Sequence, residues 1–243
     1  IYGGQLQPFA TAGAAPEARP EVRWETVEGS YADGTAMVFH PDPLSSTGST
    51  YGQPGYVDGG DADTPQLTAA RVPVTRRDIT FSGGNYSLAG PYAVCWEWSA
   101  PNDGDCPVQA SSDFDYTRSQ LHFEAVNGYY HLDAFMRYVN ETLGVTAMPR
   151  RYSGGVRYDA HGENGADNSH YSSATDELVF GQGGVDDAED ADVLVHELGH
   201  AIHNWVTAGG LSQQQGLSEG TGDYLAMAYS HDFPNQWTPS QEP

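Results

Sequence analysis

The sequence predicts an α+β protein: an irregular, mainly β first part followed by a part organised on helices. Three observations carry that prediction. Up to about residue 110, Gly, Pro, Ser, Thr and Tyr are abundant, and short β-prone runs are cut by turn residues. Near residue 118 the pattern changes, and Leu121, Val126, Tyr129, Leu132, Phe135, Met136, Val139 and Leu143 recur mostly every three or four residues. From Asp187 an acid-led run of helix formers opens a second helical stretch, as the positive end of a helix favours. The expected division is therefore 1–110, mainly β with long loops, and 111–243.

Taken in order, Thr35–Phe39, Val72–Thr75 and Tyr92–Trp98 read as strands. Between them Gly59-Gly60-Asp61-Ala62-Asp63 resembles a calcium loop but lacks the closing glutamate, and reads as a solvated turn. Cys95 and Cys106 are close enough in sequence for a disulfide, the expected state; two buried thiols are the alternative. The periodic run after residue 118 reads as an amphipathic helix with Gly144 as its stop. Gly155–Asp159 and Glu177–Gly181 are strand-like and flank Asn168-Ser169-His170-Tyr171. Asp186, Asp187, Asp190 and Asp192 then form either a Ca2+ ligand set or simply an acidic helix start.

The balance of 33 acids against 10 bases, all arginine, gives a formal charge of -23. Such a surface repels phosphate backbones and anionic membranes, which argues against nucleic acid as a partner. No apolar run approaches the roughly 20 residues that span a bilayer. The start Ile1-Tyr2-Gly3 suggests a processed, secreted, extracellular protein.

The chemistry gathers at His196-Glu197-Leu198-Gly199-His200. On a helix His196 and His200 share a face and can bind one metal ion, with Glu197 beside them to act on water. His203 is adjacent, but its reading is that of a structural or surface histidine. Hydrolytic zinc takes three protein ligands. Glu219, in Ser218-Glu219-Gly220-Thr221-Gly222-Asp223, follows His200 after a gap of 18 residues, room for a turn and a second helix. Asp223, one turn further on, can accept a ring N–H from a zinc histidine.

HELGH followed by SEGTGD resembles the gluzincin metallopeptidases, nearest to the thermolysin-like and fungalysin-like secreted enzymes. The resemblance implies a zincin-type sheet with an active-site helix pair in 111–243, and Zn2+ held by His196, His200 and Glu219. It also implies Glu197 as general base and Asp223 as the residue that orients a histidine. Metzincins are excluded, since their third ligand would fall on Val206. By the same resemblance Asn168 and Ser169 fall beside a substrate-binding edge strand, where an extended peptide would add as a further strand; a polar connecting loop is the alternative. Thermolysin-like enzymes draw their oxyanion donor from a helical half beyond the zinc glutamate. This chain ends 24 residues after Glu219, with only Tyr224 and His231 nearby, so the expectation is the N-terminal part of a longer enzyme with its C-terminal remainder as partner. The expected function is a zinc endopeptidase acting on peptide or protein. A gluzincin aminopeptidase and a non-enzymatic zinc-holding half-domain are the alternatives.

Overall fold

The computed structural model describes residues 29–212 and 214–231; Ile1-Tyr2-Gly3 and the Gln236–Pro243 end lie outside the described residues. The chain opens with β1 (Ser30–Val38), two short helices α1 (Pro43–Thr47) and α2 (Pro65–Ala70), then β2 (Val72–Ser82) and β3 (Asn85–Ser87). Both short helices begin where proline follows a capping residue: Asp42 and Thr64 accept backbone N–H groups of the first turn. β4 (Ala93–Cys95), β5 (Val108–Gln109) and β6 (Asp113–Phe114) follow. The first sheet has the order β5-β3-β2-β1-β6. The first two expected strands fall in its β1–β2 pair, where Thr35 faces Thr75 and Ala36 faces Val74.

The Tyr92–Trp98 run yields a strand only at Ala93–Cys95. Beyond it the N–H groups of Trp98 and Ser99 donate to the Asp159 carboxylate, 2.8 Å each, instead of to a neighbouring strand. Cys95 and Cys106 form the disulfide.

α3 (Phe123–Arg137), extended by a π turn at Tyr138–Thr142, is the helix read from the periodic run. It differs from the expected amphipathic helix in being buried on nearly every side, polar positions included. Those polar groups are matched inside the protein. Asn127 accepts the Phe39 N–H at 3.0 Å and donates to Ala188 O at 2.8 Å, and Asp133 pairs with Arg137 at 2.6 Å. A spacing that leaves room for solvent-facing residues is thus filled by satisfied buried ones.

β7 (Val156–Gly162), β8 (His170–Ser172) and β9 (Glu177–Gly181) complete the second sheet, in the order β4-β7-β9-β8. β4, β7 and β9 run parallel, and β8 is antiparallel to β9 at the edge. α4 (Ala191–Val206) and α5 (Leu217–Ser230) follow and pack on each other. One buried cluster takes in Val38, Ile79 and Ala93 from before residue 110 and Tyr129, Tyr158 and Leu198 from after it. Among the described residues no helix is long and apolar enough to cross a membrane.

Candidate metal centre

α4 starts at Asp190, whose carboxylate accepts the Asp192 N–H at 2.7 Å. His196 and His200 follow on one face, both partly buried, with ring centroids 4.8 Å apart. α5 reaches them because the two helices touch through glycine. A Cβ built on Gly199 would lie 2.7 Å from Gly222 Cα, and one on Gly222 would lie 2.9 Å from the His196 ring. Neither position has room for a side chain.

That contact brings the first turn of α5 over the histidines. Glu219 Oε2 stands 3.3 Å from His196 Nε2 and 3.5 Å from His200 Nε2. The far side of each ring is held by the same helix: His196 Nδ1 meets Asp223 Oδ1 at 3.0 Å, and His200 Nδ1 meets Ser218 Oγ at 2.7 Å. An ionised carboxylate only accepts, so Asp223 takes the N–H of His196 Nδ1, and in the neutral ring that leaves Nε2 a bare lone pair. That lone pair faces a carboxylate oxygen across 3.3 Å. A metal ion between them, or a proton on Nε2, satisfies both atoms. Protonation of His200 to pair with Glu219 is opposed by burial, which lowers its pKa.

The donor set fits zinc. Four ligands at 2.0–2.1 Å in a tetrahedron stand about 3.3–3.4 Å apart, close to the two separations observed. Among the described residues, four groups of three ligating side chains have ligand atoms within 4.8 Å of one another, and only this one contains histidine. Nitrogen donors select zinc over calcium or magnesium.

Glu197 is buried beside these residues. Burial raises its pKa, while His196 and the N–H of Tyr171 on β8 work in the opposite direction. The edge of β8 that carries no neighbouring strand therefore faces Glu197. Asn168 is exposed just ahead of β8, and Ser169 Oγ donates to Asp187 Oδ2 at 2.5 Å; neither joins the histidine cluster. His203 is buried, and its Nδ1 has no partner among the described residues. The four aspartates ahead of α4 go to different places. Asp187 holds Ser169, Asp190 caps α4 and Asp192 accepts from Ser230 on α5. Asp186 alone joins a group of ligating side chains, with Glu124 and Glu189.

The sequence reading missed Ser218, Gly199, Gly222 and the Tyr171 N–H. A signal for the first and third was available: Ser218 and Gly222 are four apart, on the face of α5 that also presents Glu219 and Asp223 to α4. The Tyr171 contact depends on how a strand meets a helix and leaves no trace in local pattern.

A family model described as thermolysin metallopeptidase, catalytic domain, matches residues 75–204. The match includes His196, Glu197 and His200 and ends before Glu219. Comparison with curated proteins returns no match.

Proposed function

The chain belongs to the thermolysin metallopeptidase family, which implies a zinc-dependent hydrolase, and from that premise we propose a secreted, extracellular zinc endopeptidase that cleaves peptide bonds. The observation that carries the proposal is the meeting of His196 Nε2, His200 Nε2 and Glu219 Oε2 at separations that suit ligands of one zinc ion. His196, His200 and Glu219 hold the ion, and Asp223 and Ser218 fix the rings that face it. Zinc, when bound, supplies Lewis acidity that makes water acidic near neutral pH and polarises a carbonyl.

This chain's residues do the rest. Glu197 is the general base: it takes a proton from the attacking water and returns it to the leaving amine nitrogen. Its burial supports that role, because a carboxylate with a raised pKa accepts and returns a proton more readily near neutrality. The substrate lies extended along the open edge of β8, its main chain pairing with the strand and with Asn168, Ser169 being the small residue beside it. The closeness of the Tyr171 N–H to Glu197 supports that placement, since a peptide on β8 passes directly by the base. An oxyanion donor is not assigned: Tyr224 is exposed on α5, and His231 follows its end.

The test is Glu197→Gln. Cleavage of an internally quenched peptide is expected to fall about 10²–10⁴-fold while zinc content stays unchanged. Undiminished activity in this variant, or after zinc chelation, rules the proposal out. Equal cleavage of N-terminally blocked and free peptides separates an endopeptidase from an aminopeptidase.

A further inference from the structure

A second cluster of ligating side chains lies apart from the histidines, and its chemistry is different. Glu124 projects from the first turn of α3, while Asp186 and Glu189 come from the tight turn that leads into α4. Carboxylate oxygens of all three lie within 4.8 Å of one another. Exposed acids gather often without consequence, but these are sealed: Glu124 is 2 % exposed and Asp186 and Glu189 are each 3 %.

Burying three carboxylates demands compensating charge, and the cations at hand do not supply enough. Arg118 is the nearest. Its Nε reaches Glu189 Oε1 at 2.6 Å and Oε2 at 2.8 Å, but its other nitrogens go to Asp58 at 3.1 Å and Asp61 at 3.8 Å. His161 on β7 touches Glu124 through Nε2 at 3.2 Å and shares its other face with Asp103 at 3.4 Å. One guanidinium is thus divided among three acids and one imidazole between two. Asp186 feels both at a distance but is bonded by neither. Among the described residues, no donor hydrogen-bonds its carboxylate, although it is buried and its oxygen faces those of Glu124 and Glu189.

We propose that Glu124, Asp186 and Glu189 bind a calcium ion, distinct from the zinc centre, that ties α3 to the turn feeding α4. An all-carboxylate donor set with no nitrogen or sulfur suits a hard cation. Three carboxylates give from three to six oxygens, and calcium takes six to eight, with water able to complete the shell. A cavity of about 70 Å³ lined by Asp58, Arg118, Val185 and Glu189 lies beside the cluster on the side of Glu189. The alternative way to relieve the repulsion is protonation, since burial and the neighbouring Glu124 push Asp186 up to about 8. Cation and proton give opposite results in one experiment.

Full-length protein is freed of calcium with a calcium-selective chelator that leaves zinc in place, and its melting midpoint is followed as CaCl2 is added. At about one hundred times the dissociation constant, wild type is expected to gain about 5–10 °C. It should also retain one calcium per chain on gel filtration. Asp186→Asn keeps the shape of a protonated aspartate and removes the ligand charge; it is expected to lose both the calcium and the gain while keeping its zinc. Asp192→Asn, on the same approach to α4, is expected to keep both. A wild-type midpoint indifferent to calcium overturns the proposal and leaves the proton as the neutralising species. So does an Asp186→Asn protein that still binds calcium and gains stability from it. Should Asp186→Asn fail to fold, Glu124→Gln replaces it with the same two outcomes, and calorimetric titration of wild type with CaCl2 must find a site.

Discussion

The two clusters of ligating side chains follow opposite rules of burial. In the proposed zinc cluster the Glu219 side chain is 59 % exposed and that of Asp223 is 75 %. In the acid cluster nothing exceeds 3 %. Openness suits a site that must exchange water and substrate, and an exposed carboxylate tolerates an empty site because solvent screens it. A sealed trio of acids has no such freedom and exchanges nothing with substrate. It can only hold parts of the fold together. The difference teaches that exposure and donor type separate a cluster fitted for exchange with solvent and substrate from one fitted only for holding the fold.

That contrast can be broken at its strongest point first. His200→Ala is expected to reduce bound zinc to near none and peptide cleavage to the level of chelated enzyme, while the calcium-dependent rise in melting midpoint persists. Loss of both together would mean the clusters are not independent. Next in size is the effect of acid. His131 on α3 is fully buried, with Nε2 donating to Phe39 O at 2.9 Å, and burial pulls its pKa down to about 3 from 6.5. The unfolded chain therefore takes up a proton that the folded protein refuses between pH 6.5 and 3. Stability falls with pH across that window, by roughly 2–3 kcal/mol at pH 4.5. Melting curves of wild type should accordingly lose ground to His131→Gln as pH drops from 6.5, and parallel curves would contradict the assignment. The smallest expected effect is that of Asp223→Asn, which weakens the hold on His196 Nδ1. Zinc affinity should drop about 10–100-fold in competition with a chromogenic chelator, with the fold unchanged.

How much was legible in the sequence follows the same division. His196 and His200 could be placed because helical spacing turns sequence intervals into geometry, and Glu219 and Asp223 because the same interval repeats in a second helix. The acid cluster could not. Glu124 sits on α3, a whole sheet away along the chain, and a buried acid looks locally like one at a solvent-facing helix start. So Asp186, Asp187, Asp190 and Asp192 read as one set, whereas three of them serve as a cap or hold serines and only Asp186 joins other ligating side chains. α3 hid its nature for a related reason. Asn127, His131 and Asp133 mimic a wet face, and only the fold reveals that each has a buried partner.

The contact between Gly199 and Gly222 has one more consequence. With backbone resting on backbone, the gap between the two helices cannot be adjusted by rotating a side chain. Alanine at either position would lever the helices apart, so the reach of Glu219 toward the histidines is set by that contact. The meeting of the two helices over the histidine cluster thus rests on two missing methyl groups as much as on the side chains that converge there.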